Sequence, residues 1–398
     1  MLIFANIKFM KIIEVTSQQT ARQFLQVPVL LYKNDPNWIR PLNKDIDDVF
    51  DKEKNKAFRF GEITRWILVT KDGMLIGRIA AFINSKYKNK GDDVPVGGIG
   101  FFECIQEQAA AALLFDTAKE WLQLKGMEAM DGPINFGERD RWWGLVTKGF
   151  NAPLYCMNYN PPYYQALFEN YGFNSFYNQV CFAYDPKKKL SDKIFERHNA
   201  LAANPAFSCK TIHKKQLDKF AADFATVYNK AWAGHGGLKQ LSVEQVKLMF
   251  KKMKPVIDEK IVYFAYHNEE PIAMFLNLPD LNQYFKYMNG RFGLLQKLYF
   301  VLLQKFKPAK KFTGLVFGVI PEWQGHGVDA YLIGECSKII QVPAAPYDAY
   351  EMQWIGDFNP KMINVAENFG DTYRTRNLVT YRYLFNRQKE FKRHPILI

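Results

Sequence analysis

Cysteine is scarce in this chain of 398 residues: Cys104, Cys156, Cys181, Cys209 and Cys336 are odd in number and far apart. Such spacing suggests neither a disulfide framework nor a metal cluster, and fits a reducing, cytoplasmic location. The six histidines show no ligand spacing, so no metal is expected. No apolar run approaches the ~20 residues that a bilayer-spanning helix needs, and no cleavable leader is evident. Zinc-finger spacing, an aromatic and glycine RNA-binding signature and an arginine-rich tail are also missing, which argues against nucleic acid as a partner.

Apolar and aromatic residues are plentiful, at 48% and 16%, enough for a large core and about two domains. Lys and Arg, 53 in all, exceed the 40 acidic residues by 13, which suits an anionic partner: a phosphorylated cofactor, nucleic acid or an acidic membrane surface. The basic clusters are scattered, as on an ordinary solvated surface.

The order of predicted elements occurs twice. After the apolar opening 1–9, the first half reads strand 11–15, helix 20–32, a hairpin of 66–70 and 75–84 about Lys71-Asp72-Gly73, strand 98–104, helix 108–124, strand 128–132, helix 163–171 and strand 176–184. The second half reads strand 207–212, helix 215–231, hairpin 261–266 and 271–277, strand 315–320, helix 330–340, strand 347–354, helix 361–369 and strand 380–385. Ile76 and Ile272 correspond, as do Gly172 and Gly370. The second copy inserts 285–311 and the first 137–157. Two mixed α/β domains, 1–190 and 205–398, follow, with a linker near 185–205.

Pro321-Glu322-Trp323-Gln324-Gly325-His326-Gly327-Val328 joins an apolar strand to a helix in the second half. Backbone N–H groups at such a turn, with the helix dipole, favour a phosphate. Plain turn chemistry is the other reading of two glycines.

The element order and this turn resemble the GCN5-related N-acetyltransferase (GNAT) superfamily, present twice, whose loop Q/R-x-x-G-x-G/A grips the pyrophosphate of an acyl-coenzyme A. Gln324 and Gly327 fit that loop, while Asp329 stands where a small residue belongs. Asn359 and Gly370 fit a later pattern, whose asparagine holds the pantetheine arm, but Ala366 occupies the place of its thiolate-protonating tyrosine. The resemblance implies two tandem GNAT-like domains, each a mixed, mostly antiparallel sheet flanked by helices. It also implies acetyl-CoA or another acyl-CoA as co-substrate, and a small-molecule or peptide amine as acceptor. Val319, Gln324, Gly325, His326, Gly327, Val328 and Asn359 would hold the coenzyme. The first copy's turn, Ile105-Gln106-Glu107-Gln108-Ala109, has no glycine and is expected to bind none.

On that reading the base is Glu351, on the strand beside the thioester, or Glu103 on the first copy's equivalent strand. Tyr381, with Tyr350 and Tyr373 as alternatives, would be the acid; all are equally readable as packed or solvated strand residues. The insertion bearing Arg139, Arg141 and Trp142 is a candidate substrate wall, as is Trp232 with Gly234, His235, Gly236 and Gly237. Asp329 would cap the helix it begins. The apolar insertion from Phe292 to Phe306, edged by Lys297, Lys305 and Lys307, reads as packing against the other domain, or else as a membrane contact. The function implied is an acyl-CoA-dependent N-acyltransferase; a GNAT-fold binding protein without turnover and an aminoacyl-tRNA-dependent transferase are the rivals.

Overall fold

Capping residues and apolar periodicity set the elements locally. The computed structural model describes residues 9–232, 240–368 and 370–397. Its first half runs β1 (Met10–Glu14), α1 (Gln18–Leu31), α2 (Asn43–Phe50), β2 (Gly61–Thr70), β3 (Leu75–Asn84), β4 (Val96–Cys104), α3 (Gln108–Leu124), β5 (Ala129–Gly132), β6 (Leu145–Lys148), α4 (Tyr164–Tyr171) and β7 (Asn174–Tyr184). Helix α5 (Asp192–Ala202) leads to β8 (Phe207–Thr211), α6 (Leu217–Ala231), α7 (Val243–Met253), β9 (Val262–His267), β10 (Glu270–Pro279), α8 (Asn282–Phe285) and α9 (Leu294–Phe306). The chain closes with β11 (Lys311–Val319), α10 (Val328–Ile340), β12 (Ala349–Met352), β13 (Ile355–Gly356), α11 (Pro360–Glu367) and β14 (Tyr373–Leu384). Reciprocal bonds between Ser17 and Thr20 start α1, and Ser242 with Gln245 starts α7 in the same way. Gly172, at φ 108°, ends α4.

The fold class is mixed α/β, and the strands make one sheet in the order β1-β2-β3-β4-β5-β14-β7-β12-β11-β10-β9-β8. Its middle is an exchange. The last strand of the chain, β14, pairs with β5 of the first half, Tyr381 opposite Gly132, while β7 pairs with β12 of the second, Tyr350 opposite Tyr184. Each half therefore completes its sheet with a strand of the other, and β7 and β14 pair with each other. An open β5 or β12 edge would present unpaired N–H and C=O groups, which the exchange satisfies.

Helix α3 buries Ala110, Ala111, Leu114, Phe115, Ala118 and Leu122 on one side of the first half, and α1 buries Phe24 and Val27 on the other. In the second half Phe220, Phe224 and Val227 of α6 and Leu332, Ile333 and Cys336 of α10 join one core with β9 and β10.

Three expectations change. The segment expected as a linker contains α5, which packs on α10, with the His198 ring lying against Gly334. The apolar insertion does not pack away: α9 buries Phe300 and Leu303 but leaves most of its apolar side chains in solvent. Helices α2 and α7 were not anticipated, although the Ser242 cap and the Val246, Phe250 spacing of α7 were legible. The opening residues 1–8 and the Gly234, His235, Gly236, Gly237 stretch lie outside the described residues.

Candidate coenzyme site

Strands β11 and β12 pair in parallel only from Lys311 opposite Ala349 to Gly314 opposite Met352. Beyond that they part, and the Gln353 N–H turns in to the Gly314 carbonyl at 3.3 Å. The rest of β11 stays paired with β10, Ala273 opposite Val319, and the Ile320 N–H bonds the Ile272 carbonyl at 3.0 Å. Because backbone groups alternate along a strand, the N–H and C=O of Val319 face the opened side. The C=O there accepts from Gln324 Nε2 at 3.1 Å.

The turn that follows is held by two left-handed glycines, Gly325 at φ 78° and Gly327 at φ 82°. A Cβ on Gly325 would meet nothing, so the residue is needed for its backbone conformation rather than for space. Gly327 is the N-cap of α10, and Val328, fully buried, anchors that helix in the core. The N–H groups of its first turn, with the helix dipole, would favour an anion.

A cleft of about 280 Å³ lies against this turn. Trp232, Phe317, Gly318, Val319, Gln324, Gly325, Asp329, Asn359, Lys361 and Met362 line it. Trp232 lies across Gly318, where a Cβ would come within 2.0 Å of its ring. Asn359 caps α11, accepting from the Met362 N–H at 3.2 Å. Of the residues expected to hold a coenzyme, Val319, Gln324, Gly325 and Asn359 meet here. His326 points to solvent, and Gly327 and Val328 stand behind the turn. Asp329 does not cap α10: it sits within the first turn, makes no capping bond, and faces the cleft.

Positive charge arrives from the segment that had been read as a linker. A second recess of about 370 Å³ shares Asp329 and Val365 with the cleft and is lined by Lys193 and Arg197 of α5. The Arg197 Cβ lies where a Cβ on Gly327 would be 3.6 Å away. No sequence signal marked these two cations, because only the packing of α5 on α10 brings them there.

The other candidate residues are dispersed. Glu351 is buried with both oxygens occupied: Arg376 Nε at 2.9 Å, Thr375 Oγ1 at 2.9 Å and Lys311 Nζ surround it. Burial alone would raise its carboxyl, but Arg376 and then Lys311 hold it below the usual carboxylate range. Tyr381 donates to Glu169 at 2.8 Å, and burial followed by that carboxylate raises its hydroxyl. It lines a polar cleft of about 890 Å³ between α4 and α11, together with Lys148, Asp357, Arg374 and Arg376. Ala366 is fully buried against Val180 and Phe182. Arg139 bonds Asn89 at 3.2 Å, and Arg141 lies near Asp45, Asp140 and Tyr155. Trp142, buried at φ 44°, lines a recess of about 60 Å³ with Glu103 and Trp38, apart from Trp232.

The first half shows the same strand end, closed. The Ile105 N–H bonds the Ile76 carbonyl at 3.0 Å, so Cys104 corresponds to Val319, Glu103 to Gly318 and Arg78 to Met274. There the Cys104 N–H donates to the Tyr164 hydroxyl at 2.8 Å and its C=O accepts from Tyr163 at 2.7 Å. Glu103 accepts from Tyr32 at 2.5 Å, Tyr164 at 2.9 Å and Arg78 at 3.3 Å. Tyr32 ends α1 as Trp232 ends α6. Burial pushes the Glu103 carboxyl up, against the pull of Arg78 and the tyrosines.

No family model matches the chain. It is 24% identical over 372 residues to a bacterial ceramide synthase of Caulobacter vibrioides, covering 92% of this chain and 95% of that one. It is also 24% identical to protein YghO of Escherichia coli, covering 88% and 89%. Among solved structures, a tandem GNAT protein of the clavulanic acid biosynthesis pathway superposes with TM-score 0.54 at 12% identity, over 95% of this chain and 99% of that one. The GCN5-related glucosamine N-acetyltransferase region of a fungal multi-domain β-N-acetylglucosaminidase superposes with TM-score 0.53 at 11% identity, over 94% of this chain but 38% of that one. Two halves of like element order joined in one sheet, the second with parted strands and a glycine turn opening a helix, thus share the tandem GCN5-related N-acetyltransferase fold of these structures.

Proposed function

We propose that the chain is an N-acyltransferase that takes its acyl group from a coenzyme A thioester bound at the start of α10. The carrying observation is the left-handed glycine turn, with Gly325 at the mouth of an open cleft whose floor is the freed edge of β11 and Gly327 behind it. In this reading the first-turn N–H groups of α10 take the pyrophosphate, with Arg197 and Lys193 offsetting Asp329. The pantetheine lies along β11 beside Asn359, and the Val319 N–H polarises the thioester carbonyl. Acyl transfer then needs a neutral amine placed beside that carbonyl. Because a thioester is already activated, placement supplies much of the rate.

The acceptor enters, on this proposal, from the polar cleft on the opposite face of α11, where Tyr381, Asp357 and Arg374 lie. The name of the Caulobacter relative denotes synthesis of an N-acylated lipid, which narrows the proposed acceptor to a long-chain amine and the donor to a fatty acyl-CoA. A chain that binds coenzyme without turnover is the second reading, favoured by Ala366 in the place of a tyrosine acid.

Ligand-free protein should gain thermal stability with coenzyme A and with acyl-CoA, and should release thiol when long-chain amines are added. No thermal shift at saturating coenzyme would sink both readings; a shift without amine-dependent thiol release would leave the second.

A further inference from the structure

The segment between β10 and β11, residues 280–310, contains α8 and α9, whereas the matching connection 85–95 of the first half holds no helix. Helix α9 is fastened by one side only. Phe300 packs among Tyr284, Phe285 and Phe292 at ring distances of 5.4 to 5.8 Å, and Leu303 is buried beside it. The other side presents Leu294, Leu295, Leu298, Val301, Leu302 and Phe306, each between 52% and 76% exposed. At 3.6 residues per turn these and Tyr299 span an arc of roughly 160°. An outward apolar surface of that width on a helix already anchored elsewhere is not needed to complete the core.

The charge around it has one sign. Residues 281–321 contain seven cations and no carboxylate. Two of them, Lys310 and Lys311, are paired with Asp348 and Glu351. Among the described residues no carboxylate pairs with the other five, Lys286, Arg291, Lys297, Lys305 and Lys307. Lys286 and Lys307 flank the Tyr287 ring at 5.2 and 5.4 Å, and Lys305 lies over Phe306 at 5.5 Å. Gln304 Nε2 donates to the Pro255 carbonyl at 3.2 Å, which brings the lysine-rich end of α7 next to α9.

We propose that α9 is an interfacial anchor that lies in the surface of an anionic bilayer, apolar arc in the acyl boundary and lysines at headgroup level. A broad apolar face with Lys297 at its margin and Lys305 in its last turn is what such a surface selects, because long lysine stems can lie over the apolar region while their ammonium groups reach phosphate. A second copy of the chain is disfavoured as occupant, since it would bring the same positive charges together. The inference stands apart from the coenzyme reading and is tested on coenzyme-free protein.

The full chain is mixed with vesicles of phosphatidylcholine and phosphatidylglycerol, or of phosphatidylcholine alone, and floated. Wild type should float with the anionic vesicles, less so with neutral ones or at high salt. The double variant L298E/L302E, with both changes at exposed positions, should lower partitioning roughly tenfold or more at unchanged Tm. The variant K297E/K307E should weaken only the anionic preference. Failure of wild type to float, or equal flotation of L298E/L302E, overturns the proposal. So does a dimer in light scattering that L298E/L302E dissociates without any vesicle binding by wild type, which would assign the face to a second copy.

Discussion

The two halves end the same strand in opposite ways. At Val319 the backbone faces an opened edge, with glycine at the neighbouring position and a tryptophan ring against it. At Cys104 both backbone groups are taken by Tyr164 and Tyr163, and the neighbouring position carries a buried carboxylate held by Arg78 and two tyrosines. One scaffold thus yields a cleft where side chains are removed and a hydrogen-bonded polar cluster where they are supplied. A buried polar cluster of this kind specifies one packing only while every member has its partner.

That comparison can be broken most forcefully at Arg78. Arg78→Met, which copies the second half, should cost about 3–5 kcal/mol in urea unfolding by leaving Glu103 buried beside no cation. R78M/E103L should recover most of it, since an apolar replacement of both partners leaves no stranded charge. Full loss in the double variant too would show that the cluster acts through more than its charge pair.

Gly327→Val forces a β-branched residue to φ 82° at the start of α10. We expect coenzyme A to bind about tenfold more weakly or worse, with a fall in Tm from a backbone strain of ~1–3 kcal/mol. Calorimetric titration showing unchanged affinity would detach the glycine turn from coenzyme binding.

The two buried glutamates should respond to pH in opposite senses. Glu351 lies below its ordinary value of 4.5 when folded, so its contribution is complete above the unfolded value and is lost as pH falls through the folded one. Glu103 lies above 4.5, so its contribution is complete below the unfolded value and is lost as pH rises through the folded one. Unfolding across pH should therefore show E351Q flattening the loss as pH falls below 4.5 and E103Q flattening the loss as pH rises above 4.5.

The smallest effect is expected at Arg197, an exposed cation beside the turn. Arg197→Ala should weaken coenzyme A a few-fold at low salt, roughly 0.5–1 kcal/mol, with the difference fading at high salt. A salt-independent loss would point to packing of α5 on α10 instead.

Much of the fold was legible, because helix and strand periodicities and glycine stops act over a few residues. The hairpin at Gly73, the α3 face and the turn at Gly325 and Gly327 all lie close to their expected places. The cleft beside the glycine turn was legible in part, through Val319, Gln324, Gly325 and Asn359. The proposed catalytic set was not: Glu351, Tyr381 and Glu103 share only strand position, and nothing in their spacing told that each is tied to a different partner. The apolar insertion was visible as a helix, but which of its faces meets the protein depends on where Phe285 and Phe292 lie.

The sequence by itself determined the repeated order of elements, the scarcity of thiols, the excess of positive charge and the two glycines whose left-handed conformation opens α10. The tertiary structure alone decided the exchange of β7 and β14, the arrival of Arg197 and Lys193 beside the turn, the closing of the first strand end by Tyr163 and Tyr164, and the outward face of α9. The division follows from range. Backbone conformation and periodicity are local preferences, whereas strand exchange, ion pairing and the choice of buried face join residues far apart in the chain, whose meeting is set by the packing of the whole core.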